Sequence, residues 1–158
     1  ARVNRDQMDR LASYLILLQK WQGRINLVGP QTMLDPWKRH FFDSAQLVPL
    51  LPEGRPKVVD LGSGGGFPGM VRAMLSTADV HLVESDGRKC VFLREVARLT
   101  DTDVTVHNGR IESLQPLRAN VVTARALAPL EHLMDLAQPM LLRGVCAFFS
   151  RAGQWTAN

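Results

Sequence analysis

The chain is poor in cysteine, in long apolar runs and in metal-ligand spacings. Its two cysteines, Cys90 and Cys146, lie in apolar surroundings with no close histidine. They read as buried free thiols in a reducing compartment, with a disulfide or a nucleophile as the other reading. No apolar stretch reaches the roughly 18 residues of a membrane span, and no secretory signal opens the chain, so a cytoplasmic protein away from membranes is expected. The four histidines, His40, His81, His107 and His132, show no ligand spacing with each other or with cysteine, so no metal site is expected. No Ser-His-Asp arrangement is recognisable, and the glycine-rich stretch lacks the lysine of a P-loop.

What is present is enough for one folded domain. The 158 residues fall within single-domain length. A domain of this size buries about 68–70% of its unfolded surface, enough for a core. The net charge of +4 is unevenly spread. Residues 1–59 hold nine Lys/Arg against five Asp/Glu, while the remainder holds ten of each. The basic excess therefore sits in the N-terminal part, a balance compatible with a nucleic-acid partner.

The most informative stretch runs from Val58 to Gly69, Val-Val-Asp-Leu-Gly-Ser-Gly-Gly-Gly-Phe-Pro-Gly. An apolar strand ends in glycines and is followed by a helix-compatible segment. Glycines there remove Cβ atoms that would keep a ligand from the backbone. Two cofactors fit the spacing. Gly64-x-Gly66-x-x-Gly69, with Glu84 twenty positions after Gly64, matches a dinucleotide fingerprint. Asp60-x-Gly62-x-Gly64-x-Gly66 matches the S-adenosylmethionine (SAM) pattern. Asp60 favours SAM, because a strand-end carboxylate suits an ammonium and is unhelpful beside a pyrophosphate. Pro68 is also awkward in a helix N-terminus meant to offer N–H groups. The ordinary reading is a tight turn with no ligand, but this density of glycine goes beyond what a turn needs.

Before this stretch the chain is helical. Asn4 with Gln7 resembles a capping box, and Met8, Leu11, Leu15, Leu18 and Trp21 form a core-facing stripe that Gly23 ends. Ile25 to Pro30 is irregular, and Asp35-Pro36 starts a second helical segment. His40 within it reads as a catalytic base, an RNA contact or a structural hydrogen-bonder steadied by Asp43. From residue 57 strands and helices alternate. Strands are expected at Lys57–Leu61, Asp79–Val83, Val104–His107, Val121–Thr123 and Val145–Phe149, with helices near Gly69–Leu75, Arg88–Leu99 and Leu130–Leu141. The fold class is α/β: a Rossmann-like parallel sheet with helices on both faces, residues 57–158, behind a helical N-terminal cap, residues 1–56.

In such a sheet function gathers on the loops after the strands. Glu84 is placed to accept hydrogen bonds from ribose hydroxyls, or is a solvated loop acid. Ile111 and Glu112 follow the third strand, where adenine contacts or an ordinary helix start are both open. Arg125, between two alanines after the fourth strand, is a candidate for a cofactor carboxylate or an anionic substrate, or a structural ion pair. Arg88 and Lys89 open a helix against its dipole, as a phosphate-binding pair or a solvated pair.

Several segments together resemble one family. They are Lys20-Trp21 with Ile25-Asn26-Leu27, Arg39-His40-Phe41-Phe42-Asp43-Ser44, the loop Asp60 to Gly69, Phe92 to Val96, and Thr123-Ala124-Arg125-Ala126 with Ala128-Pro129-Leu130. Over about residues 15–145 the chain is similar to the bacterial 16S ribosomal RNA guanine-N7 methyltransferases, also called glucose-inhibited division protein B. The resemblance implies a class I SAM-dependent methyltransferase acting on 16S rRNA or the small ribosomal subunit, expected as a monomer. By position it implies cofactor contacts from Gly62, Phe67, Ile111, Glu112 and Arg125, beside Asp60, Gly64, Gly66 and Glu84 read from the residues. It implies RNA contacts from Arg88 and Lys89. Arg151 stands near the place of the family's usual lysine. The family's closing C-terminal hairpin is expected to be missing. Guanine N7 has a lone pair and no proton, so no catalytic base is assigned and catalysis is expected to be positioning, with Arg125 the possible participant. Two other readings stay open: a NAD-dependent oxidoreductase, and a non-catalytic RNA-binding protein with a relic cofactor loop.

Overall fold

The computed structural model of the chain describes residues 2–125, 129–151 and 154–157, with side chains described through 142 and at 147 and 148. The alternation after residue 57 becomes a six-stranded sheet ordered β3-β2-β1-β4-β5-β6. The strands are β1 (Lys57–Leu61), β2 (Asp79–Glu84), β3 (Thr105–Asn108), β4 (Ala119–Arg125), β5 (Leu141–Arg151) and β6 (Gln154–Ala157). The first five are parallel; β6 runs antiparallel to β5, pairing Arg151 with Gln154 and Phe148 with Ala157. β6 is a short antiparallel edge strand that the sequence analysis did not expect. Four residues, Gln-Trp-Thr-Ala, are too few for alternation to declare a strand.

Parallel strands are buried on both faces, and β1 reads accordingly. Val58 faces a cluster containing Leu18, Met70, Val71, Phe92 and Leu93. These come from α1 (Arg5–Gln22), α3 (Gly69–Leu75) and α4 (Gly87–Leu99). Val59 and Leu61 face the opposite cluster, with Val122 and, from α5 (Leu130–Ala137), Leu133 and Ala137. Burying each such side chain contributes about 1.5–3 kcal/mol. The last helix stops short of the expected Leu141. A 3-10 turn, Gln138–Met140, replaces its final residues where Pro139 removes a backbone donor.

The capping box forms: Asn4 Oδ1 accepts from the Gln7 amide at 2.8 Å, and Gln7 Oε1 accepts from the Asn4 amide at 3.0 Å. The buried residues of α1 are Leu11, Tyr14, Leu17 and Leu18. Met8, expected in the stripe, is exposed. At 100° per residue the buried direction is displaced toward Tyr14 and Leu17, which leaves Met8 on its margin. A π-helical turn, Trp37–Phe42, then runs into the short α2 (Asp43–Ala45). Its winding turns His40 and Phe41 inward and leaves Lys38, Arg39 and Phe42 exposed.

Candidate active site

The sheet order changes direction between β1 and β4, and open α/β sheets bind ligands at that switch, beyond the strand ends. There the loop 62–68 leaves β1 and Arg125 ends β4. Close backbone packing shapes the loop. Gly66 has φ 96°, and a Cβ on it would run into the Tyr14 hydroxyl. A Cβ on Gly69 would meet Leu82 and come within 2.9 Å of Asp60, so this glycine brings α3 onto the sheet.

Two carboxylates hold the loop. Asp60 is fully buried. Its Oδ1 accepts from the Thr123 hydroxyl at 2.8 Å, and its Oδ2 accepts from the Ser63 hydroxyl at 2.8 Å and the Gly69 amide at 3.3 Å. Burial raises its pKa, against which the hydrogen bonds and the Arg72 cation act. Glu84 Oε2 accepts from the Gly64 amide at 2.8 Å, and its Oε1 from the Asp86 amide at 2.9 Å. The geometry of Asp60 differs from the expectation of an ammonium contact. Its oxygens are committed beneath the loop, and it is not among the residues lining the cleft above.

The cap closes over the loop from the other side. Phe67 stacks on Tyr14 at 5.1 Å and on His40 at 4.8 Å. The Tyr14 hydroxyl donates to the Gly65 carbonyl. Arg125 donates to the Arg39 carbonyl at 2.7 Å, lies 3.2 Å from His40 Nδ1 and 3.7 Å from Asp43 Oδ2. Because Arg125 is a donor only, His40 Nδ1 accepts, and Nε2–H donates to Thr32 Oγ1 at 2.7 Å. Burial and the Arg125 and Arg39 cations lower the His40 pKa to about 4. The imidazole is therefore neutral at pH 7, with both nitrogens engaged.

Between cap and loop lies a cleft of about 650 Å³. Of the residues singled out in the sequence, His40, Asp43, Gly62, Gly64, Phe67, Lys89 and Arg125 line it. Gly66, Asp60 and Glu84 support its floor. Ile111 and Glu112 form a 3-10 turn after β3, and Ile111 packs on the α5-side cluster. Neither is among the lining residues. Arg88 is turned to Asp86 at 3.0 Å. The Arg151 side chain lies outside the described residues, as do Ala126 and Ala128. Sequence reasoning missed the cap's share: Asn26, Val28, Thr32, Lys38, Arg39, Phe42 and Gln46 also line the cleft. The basic excess of residues 1–59 was the available signal. The irregular segment before Pro30 is held by Gln22, whose Oε1 accepts from the Leu27 and Val28 amides, both at 3.1 Å.

Five parallel strands in the order 3-2-1-4-5, a glycine loop after β1 and an acidic residue ending β2 define a class I SAM-dependent methyltransferase. A SAM-dependent methyltransferase of Geobacter sulfurreducens, solved with S-adenosyl-L-homocysteine, shares this fold with a TM-score of 0.61 at 17% identity, over 85% of this chain and 53% of that one. The family profile described as rRNA small subunit methyltransferase G matches residues 7–158, and the chain belongs to that family. Two relatives bear the name ribosomal RNA small subunit methyltransferase G. That of Paramagnetospirillum magneticum is 59% identical over 152 residues, covering 96% of this chain and 74% of its own length. That of Rhodospirillum rubrum is 53% identical over 147 residues, covering 93% and 73%.

Proposed function

We propose that the chain transfers a methyl group from SAM to N7 of a guanine in the small-subunit 16S rRNA, in the cytoplasm and as a monomer. The observation that carries the reading is one cleft that joins the part-exposed glycines Gly62 and Gly64 and Arg125 to the cations Lys38, Arg39 and Lys89. The residues fit SAM. Gly62 and Gly64 are part-exposed on the cleft wall, and each Glu84 oxygen keeps acceptor capacity for a ribose hydroxyl beyond its one amide. Gly62, Gly64, Phe67 and Arg125 are assigned to the cofactor's surroundings, with Ile111 and Glu112 on the adenine side. Asp60 and Gly66 act through the loop's shape.

When bound, SAM supplies an electrophilic methyl: the N7 lone pair takes it, the carbon–sulfur electron pair returns to sulfur, and no proton moves. The protein's part is then to hold the acceptor about 3–3.5 Å from the methyl and in line with it. A neutral His40 with both nitrogens occupied agrees with a reaction that asks for no base. Lys38, Arg39 and Lys89 supply the phosphate contacts, with Arg88 further out; Arg151 is assigned to the RNA by the resemblance alone.

The dinucleotide reading gains no support. The Gly69 amide at the start of α3 is spent on Asp60 and the Gly64 amide on Glu84, so donors a pyrophosphate would use are occupied. Transfer of labelled methyl from SAM to 16S rRNA, followed by mapping of the modified base, tests the proposal. Naked rRNA and assembled small subunits, assayed in parallel, give the substrate state. A protein that binds rRNA but transfers no methyl would be a binding module instead.

A further inference from the structure

Phe42 keeps 64% of its surface in solvent, although its neighbours Phe41 and Asp43 are buried. Its ring lines the cleft in company with Lys38, Arg39 and Lys89. The other cleft phenylalanine, Phe67, is buried and already stacked on Tyr14 and His40. So, among the described residues, the cleft presents one accessible aromatic face, on its cap wall, within the cationic rim. A phenylalanine this exposed contributes little to the fold by burial. Beside cations, an aromatic face is the combination that holds an unstacked nucleotide: the base lies on the ring and the phosphates run over the charges. The chemistry makes the same demand. The N7 lone pair lies in the plane of the purine and reaches the methyl along that plane, so both faces of the base are free. A ring that grips one face sets the tilt of N7 without obstructing it. A base inside a helix cannot offer N7 in this way and must be looped out or flipped.

Resting on the methyltransferase reading above, we propose that Phe42 is the stacking platform for the target guanine, which enters the cleft from the cap side with its flanking phosphates over Lys38, Arg39 and Lys89. Stacking is tolerant of base identity, so Phe42 fixes the plane and the affinity of the base and leaves its identity to other groups.

The test uses the full chain, SAM and 16S rRNA in steady-state methyl transfer, with Phe42→Ala, Phe42→Leu and Phe42→Trp. Phe42→Ala is expected to lower kcat/KM for RNA by about 5- to 150-fold, the range for loss of one base–aromatic stack. Its SAM dissociation constant, by calorimetry, should stay within about twofold. Phe42→Leu keeps apolar bulk without a π face and should remain defective, while Phe42→Trp should restore most of the activity. Arg98→Ala, on the outer side of α4 and paired with Glu95, serves as a control with unchanged kinetics. Unchanged kcat/KM in Phe42→Ala, full activity in Phe42→Leu, or a matching loss of SAM affinity would overturn the stacking role. If the unmodified protein transfers no methyl to rRNA, the functional reading fails first and the stacking role falls with it. If it does transfer methyl and all three variants match it, only the stacking role fails.

Discussion

His40 and Phe67 stack with their ring centroids 4.8 Å apart and their planes 29° apart. One ring belongs to the cap and the other to the loop after β1. Tyr14 adds a second cap ring, 5.1 Å from Phe67 with the planes at 10°. Aromatic pairs contribute about 0.5–1.5 kcal/mol beyond area burial. The cap is therefore a wall of the site, and a change in either segment is felt in the other.

Protonation of His40 bears on this contact directly. Its folded pKa of about 4 lies below the ordinary 6.5. A depressed value means that the unfolded chain takes up the proton first. The contribution of His40 is fully present above pH 6.5 and is lost as the pH falls through 6.5 toward 4. Urea midpoints measured at pH 7 and pH 5 should fall for the native protein. In His40→Gln, which cannot titrate, the fall should be smaller. Equal falls would place the acid sensitivity elsewhere.

Glu84→Ala should weaken SAM binding by about 1.5–3 kcal/mol, the scale of hydrogen bonds to a charged group. Calorimetry on the folded variant measures it. The loss has two parts in this structure, since Glu84 also positions the Gly64 amide. Glu84→Gln, which keeps an acceptor but no charge, should fall between. An unchanged dissociation constant in Glu84→Ala would remove Glu84 from the site.

Arg72 is fully buried, and none of its three guanidinium nitrogens has a hydrogen-bond partner among the described residues. Its nearest compensation is the Phe148 ring, 5.7 Å from Cζ, and the field of Asp60. Burial lowers its pKa to about 10. Unsatisfied buried donors cost roughly 1–3 kcal/mol each, so Arg72→Met is expected to raise stability by about 1–3 kcal/mol in urea denaturation. A loss of stability would mean that the cation's attraction for Asp60 outweighs its own desolvation.

Salt dependence distinguishes the two basic pairs. Each phosphate contact contributes about −0.7 to −0.9 to the slope of log affinity against log salt. Lys38 and Arg39 both line the cleft, whereas of the other pair only Lys89 does and Arg88 is paired with Asp86. Lys38→Ala with Arg39→Ala should flatten the slope by about 1.4–1.8 units. Arg88→Ala alone should change it by less than half a unit. The sequence reading names only Arg88 and Lys89 as RNA contacts, because it places the helix start beside the site and cannot see the turn that brings residues 38 and 39 across it. A larger loss in Arg88→Ala would return the main contact to that helix start.

Much of the fold was legible because its signals are local. The apolar run that ends in glycines and the helix-compatible segment after it gave β1 and α3 their observed bounds, and the Asn4–Gln7 capping box needed only a three-residue spacing. The glycine loop was legible for the same reason: backbone that must bend sharply and pack closely admits almost no other residue. The four residues of β6 escaped because a strand that short has no period to read, and Met8 was misassigned because periodicity gives a stripe but not its centre.

Local patterns along the chain carry the α/β class, the position of the loop and the presence of Glu84 and Arg125 at strand ends. How those groups are used follows from long-range packing. Asp60 and Thr123 lie 63 residues apart, yet parallel pairing of β1 with β4 sets them side by side and commits the carboxylate beneath the loop. Arg125 and His40 lie 85 residues apart, and they meet because the cap folds back over the switch point of the sheet. Hydrogen bonds of this range depend on packing that no local pattern encodes, so the residues that form the cleft were in the sequence while the cleft itself was not.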